Sequence, residues 1–260
     1  MLFDSNGVYI PNEYGIVKGI SHRGYTQGAP ENTMPAFLLS KKKGYKYVEA
    51  DVAFTSDGVA VMLHDNTIDR TSNGSGNIAN MTYAQALTYD FGSWYSADYA
   101  GTKIPTFKEF ILLCKNVGLY PYIELKEGSY TQEQITSVVD AVRAVGMQGN
   151  VTYTSFSSTF LGYVKAAEPG ARLGYCKNVL TESEITVANG LKTDTNEVFL
   201  NIYYPVLTAN NIKFAIDANI PVEAWTIDTE SEILALNDYV TGVISNTINA
   251  GEVMYRKYIK

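Results

Sequence analysis

Tyr45-Lys46-Tyr47-Val48-Glu49-Ala50-Asp51-Val52-Ala53 alternates from Val48 onward, with apolar Val48, Ala50 and Val52 separated by acidic Glu49 and Asp51. Successive side chains of a strand point to opposite faces. The stretch therefore predicts a strand with both carboxylates on one side. An inward-facing pair of carboxylates is costly to desolvate unless a cation or a basic partner compensates. Tyr122-Ile123-Glu124-Leu125-Lys126 repeats the device, with Glu124 and Lys126 sharing a face.

Further short β-rich runs alternate with helical patterns along the chain, the signature of a parallel α/β fold. Strands are expected at Gly15–Ser21, Tyr45–Ala53, Leu119–Lys126, Val151–Ser155, Ala171–Cys176, Glu197–Ile202, Pro221–Ile227 and Thr241–Ser245. Helices are expected at Thr33–Lys43, Thr106–Lys115, Thr131–Val145, Ser157–Ala167, Thr181–Ala188, Thr208–Ala218, Thr229–Tyr239 and Thr247–Tyr258. Ile135, Val138, Val139 and Val142 make one apolar helical stripe, and Thr181 with Glu184 has capping-box spacing. About eight strand–helix units in 260 residues is the arithmetic of a (β/α)8 TIM barrel. Phe54–Lys103 is a long insertion after the second strand. It opens on a hairpin signal, Thr55-Ser56-Asp57-Gly58 followed by Val59–Leu63, and long loops at that end of a barrel strand serve the active site. Residues 1–14 read as an N-terminal extension or a junction to a larger chain, and 15–260 as the barrel.

Composition narrows the partners. Acidic residues outnumber basic ones 27 to 20, a formal net charge of −7, which disfavours nucleic acid and anionic lipid surfaces. No apolar run approaches the ~18 residues of a membrane span, and the first residues lack a signal-peptide pattern. The expectation is a soluble protein without stable membrane insertion, cytoplasmic if the chain is complete and extracellular or particle-borne if it is a module. Cys114 and Cys176, the two cysteines, give neither a disulfide framework nor a cysteine metal cluster, and buried packing is expected for both.

Two histidines occur, His22 and His64. His22 directly follows the first strand, so it should stand at the C-terminal mouth, where barrel enzymes keep their sites. A chain reversal at Asp57-Gly58 would bring His64 near Asp51. Glu49, Asp51 and Glu124, from adjacent strand ends, together offer an oxygen-rich site for one hard divalent cation, Ca²⁺ or Mg²⁺. Arg23 and Lys126 add cationic donors suited to a phosphate oxygen. The set reads as phosphoryl chemistry, with two histidines exchanging protons. Trp225, at the end of the seventh strand, is expected as an apolar substrate wall or as core.

In their order, His22-Arg23-Gly24, Pro30-Glu31-Asn32-Thr33, Glu49-Ala50-Asp51-Val52, Thr55-Ser56-Asp57-Gly58, His64-Asp65, Arg70-Thr71, Glu124-Leu125-Lys126 and Trp225-Thr226 resemble the successive signatures of glycerophosphodiester phosphodiesterases. The resemblance runs from about residue 17 to 245 and is strongest before residue 127. It implies a barrel hydrolase that releases glycerol 3-phosphate and an alcohol with a divalent cation. It carries the catalytic pair to His22 and His64, metal binding to Glu49, Asp51 and Glu124, and phosphate contacts to Arg23 and Lys126. The barrel is also similar to that of phosphoinositide-specific phospholipase C. One departure stands out: the family commonly ends in a Gly-Ile-Ile-Thr-Asp-like strand, whereas here it is Gly242-Val243-Ile244-Ser245-Asn246, with Asn246 read as a helix cap. The substrate could be a small glycerophosphodiester or a glycerol-phosphate polymer such as teichoic acid. The rival classes are a barrel that binds such a polymer without cleaving it and a lyase acting on lysophospholipids or sphingolipids.

Overall fold

The computed structural model describes residues 17–258, apart from 127, 129, 237 and 238. The expected extension at residues 1–14 lies outside the described residues. Among the described residues, nine strands follow in chain order: β1 (Lys18–Ser21), β2 (Tyr47–Phe54), β3 (Ala60–Met62), β4 (Tyr120–Leu125), β5 (Thr152–Ser155), β6 (Arg172–Lys177), β7 (Val198–Tyr203), β8 (Val222–Trp225) and β9 (Gly242–Ser245). All but β3 are parallel, in the order β1-β9-β8-β7-β6-β5-β4-β2, and β1 pairs with β2 to close an eight-stranded barrel. The helices are α1 (Met34–Lys42), α2 (Tyr83–Ala86), α3 (Phe107–Val117), α4 (Gln132–Ala144), α5 (Ser158–Ala167), α6 (Glu182–Leu191), α7 (Ala209–Asp217), α8 (Glu230–Leu236) and α9 (Ala250–Tyr258). The expected (β/α)8 TIM barrel is thus present, and every strand and helix of the reading above has its counterpart.

Local chemistry explains where the helices begin. Thr106, Thr131, Thr181 and Thr208 each cap a helix N-terminus in a reciprocal capping box, with Glu109, Gln134, Glu184 and Asn211 as partners. Each box satisfies two backbone donors that the first turn leaves unpaired. The stripe foreseen on α4 is buried, with Ile135, Val138, Val139 and Val142 against the barrel.

Period-two alternation then divides the strand residues between two environments. Val48, Ala50, Val52 and Phe54 of β2, with Ile123 and Leu125 of β4, join the main core between barrel and helices. The opposite faces fill the barrel. Its lower interior holds Ile20, Tyr122, Phe199 and Ile244 around a buried ionic cluster. Glu223 Oε1 accepts hydrogen bonds from Arg172 Nη2 (2.8 Å), Tyr122 Oη (3.1 Å) and Lys18 Nζ (3.2 Å). Two glycines make the room: a Cβ on Gly174 would stand 2.3 Å from the Phe199 ring, and one on Gly242 would stand 2.8 Å from the Glu223 carboxyl carbon. This plug fills the barrel at the N-terminal ends of β1, β6 and β8.

The insertion after β2 builds a second small core from Ala53, Val61, Leu63, Ile68, Ile78, Ala86, Phe91 and Ile104. Its hairpin departs from the expected two-residue turn. Thr55 N–H donates to Val59 O (3.0 Å), so the chain reverses through Ser56-Asp57-Gly58, with Gly58 at φ +78°, a region glycine enters freely. The odd loop shifts the register by one. Val52 opposes Met62, Leu63 N–H donates to Asp51 O at 3.0 Å, and His64 falls one residue beyond the position opposite Asp51. Among the described residues, no helix is long and apolar enough to cross a membrane.

Candidate active site

The parallel register sets the acidic centre. Asp51 of β2 and Glu124 of β4 are direct partners across the two strands, and Glu49 lies two residues earlier on the same face. One oxygen from each of Glu49, Asp51 and Glu124 lies within 4.8 Å of the others. His22, Arg23, Glu49, His64, Glu124, Lys126 and Trp225 all line one cavity of about 180 Å³ at the C-terminal ends of the strands. Asp51 sits beneath it, fully buried. The eight side chains singled out from the sequence are thus brought to one place.

Glu49 and Asp51 are held differently. Arg23 N–H donates to Glu49 Oε2 (2.8 Å), and Arg23 reaches this position at φ +57°. Asn32 Nδ2 donates to Asp51 Oδ2 (2.8 Å), while Asp51 N–H donates back to Asn32 Oδ1 (3.1 Å). Glu49 Oε1 and Asp51 Oδ1 are buried and have no hydrogen-bond partner. Burial, then the negative charges of Asp51 and Glu124, push the Glu49 carboxyl well above its ordinary range. Burial also raises Glu124, reinforced by Asp51 and opposed by Lys126. Asp51 goes the other way: burial alone would raise it, but Arg23, His64 and Lys126 hold it below the usual value. Buried charged oxygens without partners are expensive. Three converging carboxylates, two of which carry a buried oxygen without a hydrogen-bond partner, fit a divalent cation of the Ca²⁺ or Mg²⁺ class.

The cationic residues lie against these acids. Lys126 Nζ donates to Glu124 Oε1 (2.8 Å) and stands 3.8 Å from Asp51 Oδ1. Arg23 Nη1 donates to Glu31 Oε1 (2.9 Å), whereas Arg23 Nε is buried with no hydrogen-bond partner.

The two imidazoles have contrasting surroundings. His22 Nε2 lies 3.9 Å from Glu49 Oε2, and its Nδ1 lies 2.7 Å from Asn246 Oδ1. Burial, with Arg23 adding to it against Asp51 and Asn246, lowers the His22 pKa to about 4. His64 Nδ1 lies 2.6 Å from Asp65 Oδ1. The Arg70 hydrogen bond, ahead of the opposing effect of burial and the His64 bond, holds Asp65 far below the usual carboxylate range. Arg70 continues the chain through Glu31 to Arg23.

Several site residues escaped the sequence reading. Asn32 sat inside a quoted motif, but its role as a brace for Asp51 shows only in space. Asn201, Cys176 and Phe156 also line the cavity, and nothing in their local sequence marks them. Both cysteines are buried as expected, though Cys176 faces the cavity and not the outer core. Trp225 is wall and core at once: it lines the cavity, packs against Phe156 and Tyr203, and donates from Nε1 to Asn201 O (3.1 Å). The helix-cap reading of Asn246 is corrected: Asn249 Oδ1 accepts from Gly251 N–H (3.1 Å) at the start of α9, and Asn246 turns to His22 instead.

The profile of the Glycerophosphoryl diester phosphodiesterase family matches residues 22–250. A glycerophosphodiester phosphodiesterase of Caldanaerobacter subterraneus subsp. tengcongensis is 33% identical over 156 residues, which span 60% of this chain and 64% of that protein. The human glycerophosphodiester phosphodiesterase 1 is 38% identical over 112 residues, 42% of this chain and 34% of the human one. The matched stretches thus cover about two thirds or less of these relatives' own length. A glycerophosphodiester phosphodiesterase of Bacillus subtilis aligns over 242 residues at 26% identity, 87% of this chain and 82% of that one. Among solved structures, an Oleispira antarctica phosphodiesterase in complex with the product sn-glycerol-3-phosphate superposes with a TM-score of 0.85 at 28% identity, covering 93% of this chain and 97% of the other. With barrel, mouth and profile agreeing over nearly the whole chain, this protein belongs to the glycerophosphoryl diester phosphodiesterase family.

Proposed function

We propose that this protein is a metal-dependent hydrolase that cleaves glycerophosphodiesters to glycerol 3-phosphate and an alcohol, with His22 and His64 moving the protons. The observation that carries this reading is the convergence of Glu49, Asp51 and Glu124 oxygens within 4.8 Å of one another, in a cavity lined by both histidines. The product named for the Oleispira antarctica structure is the product expected here.

Glu49, Asp51 and Glu124 would hold the divalent cation. When bound, it supplies Lewis-acid stabilisation of negative charge on the phosphoryl oxygens. The remaining work falls to side chains. Arg23, whose buried Nε lies 3.6 Å from Asp51 Oδ2 and whose side chain lines the cavity, and Lys126 Nζ orient the diester through its non-bridging oxygens. His22, neutral near pH 7 because burial and Arg23 lower its pKa to about 4, accepts a proton from the attacking water as its oxygen bonds to phosphorus. His64 delivers a proton to the leaving alkoxide, and Asp65, an anionic acceptor at its Nδ1, fixes the ring for that transfer. Asn32 keeps the Asp51 carboxylate aimed by bonding both its Oδ2 and its backbone N–H.

The test is release of glycerol 3-phosphate from a panel comprising glycerophosphocholine, glycerophosphoethanolamine and a purified glycerol-phosphate polymer. It is run on chelator-treated protein before and after addition of Ca²⁺ or Mg²⁺. Release that depends on added cation supports the reading. No release from any substrate with either cation contradicts it.

A further inference from the structure

We propose that Asn246 is a positioning residue that fixes the tautomer of His22, holding the ring proton on Nδ1 so that the Nε2 lone pair faces the cavity. The inference rests on the function proposed above and adds a residue to it.

A chain of hydrogen bonds leads inward from Asp228, in the loop between β8 and α8. Its Oδ1 accepts from Asn246 N–H (2.7 Å) and from Ser245 Oγ (3.0 Å), and its Oδ2 accepts from Asn246 Nδ2 (2.8 Å). Thr247 Oγ1 donates to Asp228 O (2.7 Å) and ties the two loops together. A carboxylate offers only lone pairs. The amide nitrogen of Asn246 must therefore face Asp228, because the flipped amide would set oxygen against oxygen. That choice leaves Asn246 Oδ1 toward His22 Nδ1 at 2.7 Å. An amide oxygen accepts and cannot donate, so a neutral His22 carries its hydrogen on Nδ1. Nε2, toward the Glu49 side of the cavity, is left as the acceptor.

The backbone supports the same geometry. β9 and β1 are parallel neighbours, with Ser21 opposite Ser245, and His22 N–H donates to Ser245 O (2.9 Å). Ring and main chain of His22 are thus pinned to adjacent residues at the end of β9. Free histidine favours its hydrogen on Nε2. In that form the ring would point a donor into the cavity and could not take a proton from the nucleophile. Asn246 and Asp228 together reverse the preference by polarity alone, without placing a charge next to the ring. The partner's chemistry thus fixes which ring nitrogen works. The asymmetry with His64 is then one of partner: an amide oxygen at His22 and a carboxylate at His64.

Because the chain has two histidines, ¹⁵N-labelled histidine gives two ring systems, and a His64→Asn sample identifies the His22 signals. With added Mg²⁺ near neutral pH, the enzyme should show a protonated, pyrrole-type Nδ1 and a bare, pyridine-type Nε2 for His22. Asn246→Leu should move that pattern toward the Nε2–H form and lower kcat by roughly ten- to a hundredfold, the scale seen when a partner that orients a working histidine is lost. KM should stay within about twofold, because ground-state binding is untouched. The swapped pair Asn246→Asp with Asp228→Asn, which keeps an acceptor facing Nδ1 and a donor between the two side chains, should restore both the wild-type pattern and most of kcat. A protonated Nε2 in the unmutated enzyme overturns the proposal even if no variant folds. So does Asn246→Leu with an unchanged ring pattern, whatever its rate. The ring signals are read without turnover, so a failed hydrolase assay and a failed tautomer assignment remain separate results.

Discussion

Arg70 grips Glu31 with both ends of its guanidinium, Nη1 to Oε2 at 2.7 Å and Nη2 to Oε1 at 2.8 Å. The first residue belongs to the long insertion after β2 and the second to the loop after β1, so the pair straps together the two segments that carry His64 and His22. The strap extends at both ends. Arg70 Nε donates to Asp65 Oδ2 (2.7 Å), which holds His64, and Glu31 accepts from Arg23, whose backbone N–H holds Glu49. A planar fork is needed to serve both carboxylates at once, and a lysine has none. Arg70→Lys should lower kcat by about tenfold, a loss of roughly 1.4 kcal/mol in transition-state stabilisation. Arg70 is 45% exposed and a lysine keeps the charge beside Glu31, so the melting temperature should barely move. Steady-state kinetics beside a melting curve checks both. Unchanged kcat would mean that the strap orients nothing.

The acidic centre should trade stability for function. Burial and its acidic neighbours raise the Glu49 carboxyl in the folded state, above an unfolded value of about 4.3. As pH rises from there toward the folded value, the folded state keeps a proton that the unfolded state has lost, so stability falls with pH. Glu49→Gln removes that penalty and preserves an oxygen for Arg23 N–H. The chelator-treated variant should be more stable than the parent near pH 7, by about 1 kcal/mol, while diester hydrolysis is lost. Denaturant titrations of both proteins at several pH values provide the measurement, and a variant less stable than its parent at pH 7 would refute it.

At the N-terminal ends of the strands the sign is reversed. Burial would raise Glu223, but Arg172 and Lys18 outweigh it and hold the carboxyl below its ordinary value. Its contribution to stability is therefore full above about pH 4.3, the unfolded value, and is lost as pH falls through the lower folded value. Arg172→Met keeps much of the volume over the Phe199 ring, where the guanidinium now sits 4.1 Å from the centroid, but leaves Glu223 short of its main partner. A cost of about 3 kcal/mol is expected, together with a shallower acid dependence below pH 4.3. Equal stability of the two proteins would show that the cluster is dispensable.

The caps give a smaller, local effect. Thr106 starts α3 with a side-chain bond to Glu109 N–H and a reciprocal bond from its own N–H to Glu109 Oε2 (2.8 Å). Thr106→Ala should destabilise by about 1 kcal/mol without changing KM. A chemical-denaturation midpoint equal to that of the parent would contradict it.

The fold was legible because it depends on local rules that each strand states for itself: alternation in Val48–Val52, a stripe on Ile135–Val142, threonines at helix starts. The acidic centre was legible for the same reason, since Glu49, Asp51 and Glu124 interrupt apolar strands at positions that must face inward. Partner choice was not. Asn32, Asn201 and Asn246 are ordinary loop or strand residues in the sequence, and their roles arise from neighbours 19 to 224 positions away. His64 comes near Asp51 as expected, but one residue past the position opposite it, because hairpin register depends on loop length, and a three-residue reversal looks much like a two-residue one when it ends in Asp57-Gly58. Asn246 shows the limit most clearly. Read locally it was a capping residue, and only closure of the barrel between β9 and β1 brings it to His22.

If His22 and His64 act across a single acidic centre, turnover of the two alanine variants must show it. Glycerol 3-phosphate release from whichever diester proves best should fall by at least about a hundredfold in His22→Ala and in His64→Ala alike, with both proteins folded and still able to bind the cation by calorimetry. Near-parental rates in both variants would contradict the claim.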